Sequence, residues 1–375
     1  NLIYYCKKMF LYYINFNAKG GFKMKRKVIV ALLVSLLIIG FCFTFSCQKK
    51  SAQSKIIVAM ATDVGGLGDK SFNDGSYNGL LKAKEQFGVE VKVVESKQAT
   101  DYVPNLSNFA KENAKIVFAV GFLMQDAMME AAKNNPNTYY AGVDIGVDPA
   151  TAPSNVLGIL FKEQEAGYLA GIVAGLLTSK YSDALPGLNK DNKVGIVLGM
   201  DIPPVERYQA GFYAGVKAVN PACEVITIVT NVFNDPAKGK EAALALYEKG
   251  CDIVFHIAGL TGNGVFDAAK EKGKYAFGVD VDQNYLNPDV IITSAEKKLT
   301  EATFLVVKSV LDGTFQGGTN VTYGLKEGGV GISDFHNFND KIPQEIKDAI
   351  AKAIEDINNG VIIAPATRVE AGYQM

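Results

Sequence analysis

A chain of 375 residues with 48% apolar and 21% charged side chains can bury a substantial core, and its length points to two domains. That composition excludes disorder, and a formal net charge of −1 gives no overall footprint for nucleic acid or an anionic membrane face. With two histidines in the whole chain, acid–base catalysis has little to work with.

Residues 1–23 lack an initial methionine and are rich in Tyr and Phe. Met24-Lys25-Arg26-Lys27 followed by the apolar run Val28 to Phe45 instead has the charged and apolar regions of an export signal. Translation is therefore expected to begin at Met24, with 1–23 an over-extended N-terminus and 24–46 a signal peptide. Phe43-Thr44-Phe45-Ser46-Cys47 resembles a loose bacterial lipobox. Cleavage before Cys47 would leave a lipidated N-terminus, with 47–54 as a short tether; an uncleaved anchor and ordinary signal cleavage are the alternatives. Several acyl chains would hold the protein firmly, since each buried CH₂ adds about 0.8 kcal/mol. Cys6 and Cys42 would be lost in processing. Cys223 and Cys251 then remain, each just before a predicted strand on the side of a parallel sheet away from any crevice. Two buried thiols are expected there, with a structural disulfide as the alternative.

From Lys55 the chain alternates apolar runs with amphipathic segments. Lys55 to Glu95 reads as strand (Ile56 to Met60), glycine-bearing loop (Gly65, Gly66, Gly68), helix from Ser71 to Asn73 onward, and strand (Val89 to Val94). Further strands are predicted at Ile116 to Val120, Tyr139 to Val143 and Val156 to Leu160, then a helix at Glu163 to Leu177 with glycines 167, 171 and 175 spaced for close packing. The pattern then restarts: Val194 to Leu198, Val225 to Thr230, Ile253 to Ile257, Tyr275 to Val279 and Val290 to Thr293. A closing amphipathic helix runs from Gln344 to Ile357. This alternation predicts a doubly wound α/β fold. The second set echoes the first, IVFAVGF from Ile116 aligning with IVFHIAG from Ile253, and Gly75 and Gly79 with Gly211 and Gly215. Two similar lobes follow, with pairs such as Asp63 and Asp201, or Asp144 and Asp280, expected to face each other across a cleft.

Loops leaving the carboxyl ends of parallel strands face the ligand crevice, which places Asp63, Phe72 and Asn73 there. Asp63, Asp144 and Asp280 each close an apolar strand. One alone reads as a helix cap, but three at equivalent strand ends suit a ligand rich in hydrogen-bond donors, because a carboxylate only accepts. A nucleoside presents such donors as sugar hydroxyls, ring N–H and exocyclic amine. Asn73 can donate and accept, and Gly259 permits close backbone approach. Gln125, Asp126 and Tyr208 are secondary candidates. His256 in an apolar strand and His336 in a Phe-rich loop read as packed or surface imidazoles. Gly68-Asp69-Lys70-Ser71 lacks the spacing of a phosphate loop, which favours an uncharged ligand. No metal or cofactor is implied, and the chain does not read as an enzyme.

Thr62-Asp63-Val64-Gly65-Gly66 and Asp69-Lys70-Ser71-Phe72-Asn73 resemble the signature of the basic membrane protein family, bacterial surface lipoproteins that serve as substrate-binding proteins for nucleosides. Asn234-Asp235-Pro236 after Phe233, Ala258-Gly259 with Thr261-Gly262, Gly278-Val279-Asp280 with Asp282-Gln283, and Thr293-Ser294 with Lys297 extend the match in order from Ile56 to Pro365. It departs at Leu260, where the family more often has another glycine. The resemblance implies a type I periplasmic-binding-protein fold, with lobe one at 55–160 plus 288–318 and lobe two at 161–287 plus 319–375. Hinge strands would pass near Leu160 to Gln164, Val281 to Asn287 and Gly317 to Tyr323. It also implies that Phe72 and Phe233 sandwich a purine and that Lys297, at the start of the helix after Ser294, reaches the ribose. The implied partners are a purine nucleoside (adenosine, guanosine or inosine class), an ABC-type permease and the bilayer holding the acyl chains, at the cell envelope outside the cytoplasm. A sugar receptor of the same fold and a surface adhesin or antigen are the alternatives.

Start-site use is directly measurable. Peptide mass spectrometry of the cellular protein is expected to recover nothing from residues 1–23, and peptides from that stretch would overturn initiation at Met24.

Overall fold

The computed structural model describes residues 55–375, together with Lys8, Leu11 and Asn15. The expected signal peptide and the lipidated Cys47 lie outside the described residues. No helix among the described residues is long and apolar enough to cross a membrane.

Among the described residues, two six-stranded sheets form the framework. The first contains β1 (Ile57–Thr62), β2 (Glu90–Glu95), β3 (Ala114–Val120), β4 (Tyr139–Val143), β5 (Val156–Phe161) and β11 (Thr319–Tyr323), in the spatial order β11-β5-β4-β3-β1-β2 and parallel throughout. The second contains β6 (Lys193–Leu198), β7 (Glu224–Val229), β8 (Ile253–Ile257), β9 (Tyr275–Asp280), β10 (Ile291–Lys297) and β12 (Val330–Ile332), ordered β12-β10-β9-β8-β6-β7. Only β12 runs antiparallel to its neighbour. The central strands are apolar on both faces, as sheets covered by helices on both sides require. The expected α/β class and the repeated plan are both present.

The helices are α1 (Phe72–Phe87), α2 (Tyr102–Lys111), α3 (Gln125–Asn134), α4 (Glu163–Leu177), α5 (Pro203–Val219), α6 (Pro236–Glu248), α7 (Asn263–Lys272), α8 (Leu299–Leu311), α9 (Gln344–Asn358) and the short α10 (Arg368–Ala371). The echoed glycines form matching seams. In the first lobe α1 packs on α8: a Cβ at Gly79 would strike Thr303 and the Thr300 carbonyl, and Thr303 and Thr300 hydroxyls donate to the Ser76 and Gly75 carbonyls at 3.0 and 2.8 Å. In the second lobe α5 packs on α4 reciprocally. Gly211 and Gly215 lie against the Gln164 and Tyr168 carbonyls, while Gly167 and Gly171 lie against those of Tyr208 and Phe212.

The sheet membership corrects the expected lobe boundaries. β10 hydrogen-bonds to β9 and so belongs to the second sheet, whereas β11 pairs with β5 in the first. Residues 288–297 therefore lie with lobe two and 319–323 with lobe one. Apolar periodicity marks a strand but not its neighbour, which is why the sequence misassigned both. The chain passes between lobes at Lys162, at Lys298 and across 324–329. The first two crossings are tied to the third, Lys162 N–H donating to the Tyr323 carbonyl at 2.9 Å and Lys298 N–H to that of Gly329 at 2.9 Å. The stretch Val281 to Asn287, expected as a hinge, is a loop within lobe two.

The C-terminal segment folds back over lobe two. Tyr373 stacks on Tyr213 with centroids 4.3 Å apart, and its hydroxyl meets the Val225 carbonyl and Thr227 hydroxyl of edge strand β7 at 3.3 and 2.7 Å. Cys223 and Cys251 are free and buried, their thiols pushed up to about 12 by burial.

The helix seams give a signed test. Gly→Ala at an open helical position gains about 1 kcal/mol. Gly215→Ala must instead push α5 off α4, and urea unfolding is expected to show a loss of about 1–3 kcal/mol. Unchanged or higher stability would mean that the two helices can part freely.

Candidate functional site

The loop after β1 opens the site. Asp63 turns its carboxylate back to accept the Gly65 N–H at 2.9 Å. Asp69 then accepts the Ser71, Asn73 and Asp74 backbone N–H groups at 3.0, 2.8 and 3.1 Å, supplying the acceptors that the first turn of α1 needs. That cap projects Phe72 and Asn73 from the helix start. In lobe two, Thr230 ties the loop after β7 by donating to the Leu198 and Val232 carbonyls at 3.0 and 3.1 Å, and Asp235 caps α6. Between them Phe233 lies with its ring against Gly199, where a Cβ would collide with it.

Asp144 follows β4 and Asp280 ends β9, the fourth strand of each half of the chain. Both adopt left-handed backbone, φ 61° and 67°, which costs a non-glycine residue of order 1–3 kcal/mol and which Asp tolerates better than most. The same unusual conformation at equivalent strand ends of both lobes marks these positions as more than caps.

These elements line a cleft between the lobes. Asp63, Phe72, Asn73, Asp144, Phe233, Gly259, Asp280, Lys297 and Tyr208 all line it. Gln125 and Asp126 do not: they open α3, half-buried and exposed, after the short turn Phe122–Met124, which puts Phe122 on the wall instead. Asp201 is also absent from the cleft, because Arg368 of α10 takes its carboxylate at 2.9 Å on the surface. Lys297 is the last residue of β10 rather than the start of a helix, so its side chain is set by the sheet. His256 is packed in β8 with Nε2 2.9 Å from Gln283 Oε1, and burial lowers its pKa to about 4. His336 is exposed and pairs with Asp282.

The electrostatics centre on Lys297, whose side chain is 2% exposed. Its Nζ lies 2.7 Å from Asp144 Oδ2 and 2.9 Å from Glu163 Oε1, with the Phe72, Phe161 and Tyr208 rings at 5.1, 5.2 and 5.6 Å. Burial works against that charge, but Asp144, Glu163 and Asp280 outweigh it and hold the ammonium above the usual lysine range. Burial likewise raises Asp144 to about 6 against the pull of Lys297. Glu163 differs: burial is outweighed by Lys297 together with Arg207, and its carboxyl stays below the usual range. Burial also lifts Asp63, Asp69 and Asp280 to about 6, despite the amides on Asp63 and Asp69 and, at Asp280, Lys297 and the Ser71 hydroxyl donating at 2.6 Å.

Chemically, the cleft offers carboxylates that only accept, one ammonium donor and aromatic faces from both lobes. Asn73 Oδ1 is buried without a hydrogen-bond partner, so one acceptor on the wall is unspent. No group of His, Cys, Asp and Glu among the described residues is arranged to hold a metal ion. Several contributors escaped the sequence reading. Phe122 lines the cleft beside Gly121, whose φ of 119° lets it abut the Asp63 carboxylate. The internal echo pairs Phe122 with Gly259 and offered a signal for it. Glu163 gave no such signal, since it is one of two acids in the first turn of its helix.

A family model described as "ABC transporter substrate-binding protein PnrA-like" (Bmp) matches residues 56–367. The "ABC transporter nucleoside-binding protein BmpA" of Lactococcus lactis is 34% identical over 369 residues, covering 92% of this chain and all of that one. The "CD4+ T-cell-stimulating antigen" of Listeria innocua is 33% identical, covering 89% and 96%. Among solved structures, an ABC transporter solute-binding protein from Aeropyrum pernix aligns with a TM-score of 0.77 at 29% identity, covering 83% of this chain and 94% of that one.

The raised carboxyls imply a pH-dependent fold. A carboxyl whose pKa is higher folded than unfolded binds its proton more tightly in the folded state, so its contribution is present at low pH and lost as pH rises through about 6. The melting temperature of the ligand-free protein is expected to fall between about pH 4 and 6.5, the interval from the ordinary carboxyl value to the raised one, and Asp63→Asn should flatten that fall. A melting temperature that rises over this interval would contradict the burial of ionised carboxylates in the cleft.

Proposed function

Because this chain belongs to the PnrA-like (Bmp) family of ABC transporter substrate-binding proteins, a family of receptors and not of enzymes, we propose that its cleft binds a nucleoside, with purines preferred, for delivery to an ABC-type permease. The observation that carries this reading is an aromatic ring from each lobe, Phe72 and Phe233, in one cleft with Asp63, Asp144 and Asp280. A flat base suits the rings, and the donor groups of base and ribose suit acceptor-only carboxylates. The name of the Lactococcus lactis relative supports the same ligand class. Lipid attachment through Cys47 at the cell envelope belongs to this proposal and would keep the receptor beside its permease.

In this reading Asp280 and Lys297 hold the ribose, while Asn73 Oδ1 and Asp63 meet donors on the base. Closure of the lobes about the crossings at Lys162 and Lys298 buries the ligand and creates a surface that the permease can tell from the open form. A 5′-phosphate would face four carboxylates, Asp63, Asp69, Asp144 and Asp280, against Lys297 alone, and is disfavoured.

Calorimetric titration with adenosine, 2′-deoxyadenosine, adenosine monophosphate and free ribose tests the assignment. Adenosine should bind most tightly, the deoxynucleoside less well because a buried acceptor loses its partner, and the monophosphate least among the three adenosine compounds. Phe72→Ala and Phe233→Ala should each cost about 1–3 kcal/mol of affinity. Equal affinity for all three adenosine compounds, or tighter binding of ribose alone, would replace the nucleoside by another ligand.

A further inference from the structure

Lys297 and Glu163 occupy mirrored positions. Lys297 is the last residue before the crossing at Lys298, and Glu163 is the first after the crossing at Lys162. Glu163 is fully buried and lies off the cleft wall, as does Arg207. Arg207 stands on α5 between Val205 and Tyr208, which do line the cleft, and gives its Nε to Glu163 Oε2 at 2.5 Å and its Nη2 to Oε1 at 3.4 Å. That same Oε1 meets Lys297 Nζ. The chain of charge Arg207–Glu163–Lys297 lies within lobe two and ends on Asp144 of lobe one.

We propose that Glu163 and Arg207 are positioning residues of the ligand site, holding the Lys297 ammonium at one place on the cleft wall so that it meets Asp144 and the ligand together when the lobes close. A lysine ammonium is a point charge on a flexible stem with three N–H donors. Asp144 meets it with both carboxylate oxygens, at 3.0 and 2.7 Å, and Glu163 with one, and a ligand takes over one of the two Asp144 contacts. With Glu163 neutral, Asp144 and Asp280 pull on the ammonium unopposed, and it settles on those two carboxylates. Arg207 prevents this because its guanidinium does not titrate and keeps Glu163 ionised while the carboxyls around it take up protons. The groups facing Lys297 are Asp144 from the end of β4, Glu163 from α4, Asp280 from β9 and the Phe72, Phe161 and Tyr208 rings; Arg207 is itself flanked by Glu206.

The test uses the full chain with Arg207→Met, Arg207→Lys and the near-isosteric Glu163→Gln, titrated with adenosine from pH 5.5 to 8. The choice of adenosine rests on the nucleoside reading above. Arg207→Met should lose little affinity at pH 8, where Glu163 ionises unaided, and about tenfold or more at pH 5.5, as expected for loss of one charge-assisted hydrogen bond. Arg207→Lys should restore the acid limb, and Glu163→Gln should be weak at every pH. A loss in Arg207→Met that is the same at every pH, or no rescue by Arg207→Lys, overturns the proposal. If the unsubstituted protein binds no adenosine, the nucleoside reading fails separately. The positioning role is then read from ligand-free melting curves, where the pH profile of Arg207→Met must differ in shape from that of the unsubstituted protein, and parallel profiles overturn it.

Discussion

A lysine ammonium almost wholly removed from water is the constraint around which this molecule is arranged. Such an ion persists only with counter-charges in direct contact, and here they come from separate parts of the chain, Asp144 from lobe one and Glu163 from lobe two. Keeping two carboxylates beside one cation requires a further cation, which Arg207 supplies. The lobes therefore meet through an ion pair whose partners sit on different bodies. Any movement that opens the cleft must rehydrate Asp144 or hand it another donor.

Duplication of one α/β plan explains how these groups converge. Each half ends its fourth strand in an aspartate with left-handed backbone, Asp144 and Asp280, and each packs its first helix on a crossing helix through paired glycines. The crossings exchange partners: α4 leaves the first sheet and covers the second, while α8 leaves the second and packs on α1. Such an exchange places the ends of β4, β9 and β10 around one space. Symmetry fails at β12, which runs against its sheet and is too short to repeat β11.

Much of this was legible in the residues. Alternating apolar runs located the first ten strands within a few positions, and Glu163 to Leu177 was read at its full length because acids in its first turn lead into a long apolar run. Strand-closing aspartates and the aromatic at the start of α1 pointed to the cleft because sheet topology leaves them few other places. What stayed hidden depends on contacts between distant residues. Whether β10 joins one sheet or the other is a matter of hydrogen-bond partners, which a strand's own periodicity does not encode. Asp201 looked equivalent to Asp63, but Arg368, 167 residues away, takes it to the surface. Glu163 and Arg207 read as ordinary helix charges until the fold brings Lys297 between Asp144 and Glu163.

One feature of the second sheet bears on handling of the protein outside its cellular setting. Strand β7 is an edge with the sequence EVITIV, β-branched and nearly free of charge, the kind of strand that recruits other chains by hydrogen-bonding along its open side. Tyr373 sits on it and engages both Val225 and Thr227, while β2, the corresponding edge of the first sheet, carries Glu90, Lys92 and Glu95 instead. One edge is guarded by charge and the other by a tail. Loss of Tyr373 would thus leave the cleft residues in place yet uncover the open side of β7, the geometry by which strands pair with other chains.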